Sequence, residues 1–374
     1  MRVVVVTRDN AHHLLKTARS LVSSGIDGSC VLVVDDSPSE CSIARNRVAV
    51  ERAFGRPPQI LSRCRQEEIL TTLPSETRRF LSSHFELGKP GWNAYAARNV
   101  GLLWSARHRA GHCNLWLDDD VDVSNEVVRL ASKTPRGHIS AFPLLGLPDF
   151  SRAKWMAMYL SCIDSVPQNG DSAQLAALLR AHTDLGALIR ESQVSPGPFP
   201  LPWNAAHGAA YATNISLAIA PLFPAFRGED YFWHRRLLDL GARQIRRRAA
   251  VWHRGRRRDL LNAPFFVDEE MGAVQATCLR LVLLNPNMNV RKTLETLAAR
   301  RCRELGVLSA KAEELTSASA HSQGARNVLY LLGQVINDLS NPQAWESAAE
   351  QVADSLEANA IWARVGLSLS GNSA

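Results

Sequence analysis

Apolar runs alternate with amphipathic stretches over the first 145 positions of the chain. Val3-Val4-Val5-Val6 is a β-branched run of the kind buried on both faces of a sheet. Leu14, Leu15, Ala18, Leu21 and Val22 then recur on one helical stripe, which Gly25 and Gly28 end. Val31-Leu32-Val33-Val34 is a second buried run, stopping at Asp35-Asp36-Ser37-Pro38. Strand, helix and strand with short connections predict a parallel sheet. The same reading predicts a helix over 42–54, a strand at Gln59-Ile60-Leu61 and helical structure over 67–85. Past the break at Gly88-Lys89-Pro90-Gly91 it predicts a helix over 94–109 and strands over 114–117 and 138–145. Ser124 caps a helix between those two strands. Residues 164–203 read as a polar, Pro/Gly-containing insertion around a helix at 172–190. From 272 onward the pattern is helical only, with breaks at Asn285-Pro286, 316–324 and Asn341-Pro342.

At 374 residues the chain exceeds one ordinary core. The change of pattern divides it into a mixed α/β part over 1–270 and a helical part over 271–374. A net charge of +7 suits an anionic ligand or surface without requiring one. The seven cysteines are scattered, odd in number and lack C-x-x-C spacing. A disulfide framework or zinc site is therefore not expected, and a cytoplasmic setting is. Asn214, Pro221 and Pro224 interrupt the most apolar late stretch, Ala209 to Phe226, which falls short of the ~20 residues of a membrane span. Any membrane contact is expected to be peripheral, and oligomerisation is left open.

Chemistry concentrates where the apolar run Leu115-Trp116-Leu117 ends in Asp118-Asp119-Asp120-Val121-Asp122. Carboxylates this close repel unless a cation or open water relieves them. Alternation puts Asp118 and Asp120 on one side of the strand. Their hard oxygens suit Mg²⁺ or Mn²⁺, ions that retain water and phosphate as further ligands. The plain alternative is a solvated loop capping the next helix.

Four segments in order carry a family resemblance. They are Thr7-Arg8-Asp9-Asn10 with Val34-Asp35-Asp36-Ser37, Ala96-Ala97-Arg98-Asn99-Val100-Gly101, Leu117-Asp118-Asp119-Asp120, and Gly228-Glu229-Asp230-Tyr231. Over residues 1–258 the chain resembles family 2 glycosyltransferases of the GT-A fold, whose "A-R-N-x-G", D-x-D and "E-D" motifs these match. The resemblance implies a Rossmann-like, mostly parallel sheet flanked by helices, with a nucleotide-binding half over 1–123 and an acceptor-binding half over 124–270. It implies a nucleotide-diphosphate sugar as donor, an unidentified hydroxyl acceptor, and Mn²⁺ or Mg²⁺ as cofactor.

On that resemblance, Thr7, Asp9, Asp36, Arg98, Asp118 and Asp119 bind the nucleotide. Asp36 meets the imide of uracil, which favours UDP, although a carboxylate also reads guanine, and Asp35 and Asp36 serve as turn formers in either case. Arg98 reaches phosphate or bridges to Asp118, unless it is a surface arginine. Asp118 and Asp120 hold the metal, with His253 as a further ligand. Asp230 is the general base with Glu229 orienting the acceptor, although two acids at a helix start also serve simply as a cap. Inversion at the anomeric carbon follows from a base acting in a direct displacement. Trp203 and His207 face the acceptor, where Trp203 either stacks on a sugar or only packs.

Three other readings compete. Eight arginines between Arg243 and Arg258 form a solvated face, an anion clamp or a nucleic-acid surface. Nucleic acid is not the expected partner, because no stacking or groove-binding motif surrounds them. A sugar nucleotidyltransferase also uses acids on an α/β sheet, but its glycine-rich loop after the first strand is missing. A GT-A scaffold without catalysis is distinguished only by assay.

Overall fold

The computed structural model describes residues 1–55, 58–71, 73–89, 93–107, 113–146, 160, 210–215, 220–254, 263–318 and 322–371. Its strands are β1 (Arg2–Thr7), β2 (Val31–Asp35), β3 (Gln59–Ser62), β4 (Asn114–Asp118), β5 (Val121–Asp122), β6 (His138–Ala141), β7 (Leu144–Gly146), β8 (Ala210–Asn214), β9 (Arg243–Arg246) and β10 (Val251–His253). Seven of them form one sheet in the order β3-β2-β1-β4-β8-β6-β9, and β5-β10-β7 form a second. In the large sheet β8 alone is antiparallel to its neighbours. The architecture is thus the α/β class expected: a mostly parallel sheet flanked by helices.

Two details differ from the sequence reading. Residues 138–145 are not one strand. Pro143 separates β6 from β7, which join different sheets, because proline cannot donate to a ladder. The stretch 67–85 is two helices, α3 (Gln66–Leu70) and α4 (Ser75–Phe85), preceded respectively by a turn and by Pro74. Pro74 suits a helix start, where a missing N–H costs nothing. The insertion at 164–203 lies outside the described residues.

Alternation sorts the two faces of the sheet. Val3, Val5, Val31, Val33, Leu115 and Leu117 share a core with Leu14, Ala18 and Leu21 of the first helix, α1 (Ala11–Ser23). Burying a leucine such as Leu14 completely contributes about 1.5–3 kcal/mol. Val4 and Trp116 point to the opposite face, where they meet Gly101 of α5 (Ala94–Arg107). A Cβ on Gly101 would lie 2.9 Å from Val4 Cγ1 and 3.1 Å from Trp116 Cζ3. The glycine of the "A-R-N-x-G" stretch is therefore a packing requirement, which lets α5 approach the sheet closely. The remaining helices of this part are α2 (Glu40–Glu51), α6 (Asn125–Ser132) and α7 (Glu229–Asp239).

The described residues from 263 onward are helical, in α8 (Ala263–Leu284), α9 (Val290–Ala318), α10 (Ser322–Leu339) and α11 (Ala344–Gly371). Two compact units result: 1–144 with 204–254 and 353–374, and 145–203 with 255–352. In the second unit α9 packs on α8 and α10, and Glu270 of α8 pairs with Arg301 of α9 at 2.8 Å. No described helix is long and apolar enough to cross a membrane.

Gly101→Ala has opposing effects. Helix propensity favours alanine by about 1 kcal/mol, whereas overpacking costs about 1–3 kcal/mol. Because the contacts are with a strand valine and a buried indole, Gly101→Ala is expected to destabilise by about 1–2 kcal/mol in urea unfolding. Gly306→Ala in α9 and Gly333→Ala in α10 meet no atom of the described residues within 4 Å and are expected to stabilise by about 0.5–1 kcal/mol. A neutral or stabilising Gly101→Ala would show that α5 does not need the close approach.

Candidate functional site

Strand order reverses at β1: β2 and β3 lie on one side of it and β4 on the other. Ligands of open α/β sheets bind beyond the carboxyl ends of strands at such a switch point. The residues that emerge there are Thr7-Arg8-Asp9 after β1, Asp35-Asp36 after β2 and Asp118-Asp119-Asp120 after β4.

The three aspartates after β4 have three different partners. Asp119 is buried and turned inward. Its Oδ2 accepts from Thr7 Oγ1 at 2.6 Å and from the Arg8 amide at 3.3 Å, and its Oδ1 accepts from Asn10 Nδ2 at 2.7 Å. Its carbonyl accepts from Thr17 Oγ1 at 2.7 Å. Thr7 and Asp119 thus tie the end of β1 and the start of α1 to the end of β4. Asp118 is half-buried and accepts from Arg98 at 3.0 Å. Burial pushes its carboxyl up to about 7; Arg98 opposes that rise and the charge of Asp120 adds to it. Asp120 lies 3.2 Å from His253 Nε2, with both side chains about nine-tenths buried. The antiparallel pairing of His253 with Val121 brings that histidine to the acid cluster.

Arg98 joins the D-x-D and "E-D" stretches. Its side chain pairs with Glu229 through one terminal nitrogen and with Asp118 through the other, and it stacks 5.9 Å from the Phe223 ring. Burial works against its charge, but Asp118, Glu229 and Asp230 more than offset this, so its pKa is raised. Glu229 is only 1% exposed, whereas Asp230, beside it in the first turn of α7, is half-buried. Gly228 precedes them with φ of 84°, a backbone conformation that favours glycine.

The irregular segment leading to α7 is held by side chains. Asn99 donates to Phe223 O at 2.9 Å and accepts from Phe223 N at 2.8 Å. Trp233 donates to Pro221 O, and Trp362 of α11 to Ala220 O, at 2.7 and 2.8 Å. Asn359 of α11 accepts from Leu222 N at 2.9 Å. Buried backbone outside a ladder needs such partners. Nothing in the sequence pairs Asn359 or Trp362 with this segment, and their contribution was not foreseen.

On the nucleotide side, Asp36 is buried. Its Oδ1 accepts from Gly88 N at 2.7 Å and Asn93 Nδ2 at 2.6 Å, and its Oδ2 from Arg8 at 2.7 Å. Burial pushes its carboxyl up to about 6 against those donors. Asp35 accepts from Ser37 N and Asn46 Nδ2, which makes it a turn former. Asp9 is exposed, with φ of 50°, and its amide donates to Ser37 Oγ at 2.9 Å.

The arginine-rich stretch divides. Arg243 and Arg246 are the first and last residues of β9, which pairs with β6 at the end of the sheet order, where charge discourages further pairing. Arg254 pairs with Asp122 and donates to Thr17 Oγ1 at 2.7 Å and His13 O at 3.0 Å. It therefore braces the site from behind instead of forming an exposed clamp. Arg256, Arg257, Arg258, Trp203 and His207 lie outside the described residues. Among the described residues, no three His, Cys, Asp or Glu side chains form a cluster suited to hold a metal by themselves.

One residue without a motif stands beside the acids. Tyr211 of β8 is stacked on Trp116, its register partner on β4, at a centroid distance of 6.1 Å and an interplanar angle of 12°. Its buried hydroxyl has no hydrogen-bond partner among the described residues.

No protein-family model matches the chain, and no curated protein does. Solved structures with a similar trace include a mannosyltransferase from Pyrobaculum calidifontis, PcManGT, in complex with GDP-Man and Mn²⁺, at 13% identity and TM-score 0.46, covering 96% of this chain and 86% of that one. S. aureus TarS follows at 12% identity and TM-score 0.36, with 89% of this chain covering 55% of TarS, so the chain spans about half its length. Mouse xyloside xylosyltransferase 1, in apo form, shares 10% identity over 57% of this chain and 66% of that one, with TM-score 0.28. Likeness at these scores carries no argument about function, which rests on the residues of the site.

A raised carboxyl at Asp36 makes stability pH-dependent. The folded state holds the proton more tightly than the unfolded chain, so this contribution is full below about pH 4 and is lost as pH rises through about 6. Unfolding free energy of the wild type minus that of Asp36→Asn is expected to fall by up to roughly 3 kcal/mol between pH 4 and 7. A pH-independent difference would contradict the assignment.

Proposed function

We propose that the chain is a metal-dependent glycosyltransferase of the GT-A type. It moves a sugar from a nucleotide diphosphate, with UDP favoured, to a hydroxyl acceptor. The observation that carries this reading is Arg98, which binds Asp118 and Glu229 together at the sheet's switch point. One cation thereby holds the two acidic segments in a single site, as transfer between a diphosphate and a hydroxyl requires.

In this reading residues 1–123 take the nucleotide and 124–270 the acceptor, while 271–374 shape the acceptor side or an oligomer contact. Asp36 accepts the imide N–H of uracil on Oδ2, which accepts from Arg8 alone among the described residues, whereas Oδ1 accepts from both Gly88 and Asn93. Thr7 and Asp119 fix the floor of the nucleotide site, and Asp9 stands exposed at its rim. Asp120 and His253, with Asp118 two residues earlier, offer hard oxygen and imidazole nitrogen to Mn²⁺ or Mg²⁺. So few protein donors fit an ion that takes its other ligands from water and phosphate. The bound ion supplies charge neutralisation for the departing diphosphate.

Glu229 is committed to Arg98 and almost fully buried, which suits orientation. Asp230 is more accessible and is the base that takes the acceptor's proton, an arrangement that inverts the anomeric centre. Trp203 and His207 remain proposed acceptor contacts on the sequence argument alone.

The test is release of nucleotide diphosphate from a panel of UDP- and GDP-hexoses, with Mn²⁺ and with chelator. Asp230→Asn is expected to lower turnover about 10²–10⁴-fold while donor binding persists. Glu229→Gln is expected also to lower stability, because a buried arginine loses a counter-charge. Equal, small losses in both would reduce the pair to a helix cap. Chelator, or Asp120→Asn, is expected to abolish the stabilisation of the fold by the nucleotide diphosphate. Stabilisation that persists in chelator would refute the metal requirement.

A further inference from the structure

Tyr211 is 3% exposed, yet its hydroxyl has no hydrogen-bond partner among the described residues. A buried hydroxyl without a partner is destabilising, a cost that phenylalanine would avoid. The ring itself is well used. It stacks on Trp116 and lies 5.7 Å from Trp233, and both contacts would survive loss of the hydroxyl. The phenol oxygen thus has no structural account, which points to a ligand.

Its surroundings narrow the ligand. Trp116 and Asp118 lie on the same face of β4 by alternation, and Tyr211 is the register partner of Trp116 on β8. The charges that bear on the phenol are those of Arg98, Asp230, Asp118 and Glu229. Burial raises its pKa, so the group remains protonated and can donate. Asp118 belongs to the diphosphate side and Asp230 to the base side of the proposed reaction. The group that lies between a departing diphosphate and an attacking hydroxyl is the sugar in transfer.

We infer that Tyr211 is a sugar-binding, specificity-determining residue, whose phenol donates a hydrogen bond to an oxygen of the donor sugar. The inference rests on the glycosyltransferase reading and adds a residue that no motif marks. Arg98 and the acids cannot take this part of recognition alone, since Arg98 is already paired with both Asp118 and Glu229. A phenol whose ring packs against two indoles, themselves in contact, presents one donor in a restricted direction. Discrimination among hexoses that differ at one hydroxyl needs such a group, because a site built to pair a hydroxyl rejects the analogue that lacks it.

Tyr211→Phe tests this with the full chain and three readouts: Tm, the Kd for the UDP- or GDP-hexose that wild type uses, and the Kd for the corresponding bare nucleotide diphosphate. Tm is expected to hold or rise, because an unpaired polar group is removed. Affinity for the nucleotide sugar is expected to fall about five- to tenfold, the range of one neutral hydrogen bond, with affinity for the bare nucleotide unchanged. Equal nucleotide-sugar affinity in variant and wild type, with wild type active, would overturn the role of Tyr211 and leave the function standing. A marked loss of Tm would also overturn it, by revealing a structural partner for the phenol. A wild-type chain that binds no nucleotide sugar at all would overturn both.

Discussion

A buried guanidinium is the constraint on which the site depends. Arg98 lies in the second turn of α5, the helix that Gly101 allows to lie close against β1 and β4. From there it reaches one carboxylate at the end of β4 and another at the start of α7, 111 positions later. A charge so placed is stable only while both partners remain, because an unpaired buried ion is costly. The arginine therefore dictates where α7 must begin. It also leaves Asp230, the next residue, accessible at the site.

Fixing α7 requires fixing the segment before it, and that segment has no ladder of its own. Asn99, adjacent to Arg98, bonds both the N–H and the carbonyl of Phe223. Trp233 of α7 and Asn359 and Trp362 of α11 satisfy the neighbouring backbone groups. The last helix thus supports the acidic helix start from the far end of the chain. Residues 353–374 accordingly group with the sheet.

Much of this arrangement was legible in the sequence where the signal is local. The valine runs of β1 and β2, the apolar stripe of α1 and the cap at Ser124 specify their own elements. The acid cluster was legible as a concentration of like charge that needs partners or open water. The division of labour within it was not. Asp119 binds Thr7 and Asn10, Asp118 binds Arg98, and Asp120 faces His253, and these partners lie about 20 to 130 positions away. β8 was likewise hidden, because an apolar stretch broken by Asn214 and two prolines has no period that marks an antiparallel strand. With β8 unread, Tyr211 had no neighbours to give it meaning.

The central claim is that Arg98 makes two distant acidic segments one site. A double-mutant cycle on unfolding free energy measures it directly, with wild type, Asp118→Asn, Glu229→Gln and the double variant. If the two carboxylates meet through Arg98, the losses are non-additive, with a coupling above about 1 kcal/mol. Losses that add to within roughly 0.5 kcal/mol would mean that the two acids are independent, and the single-site account would be contradicted.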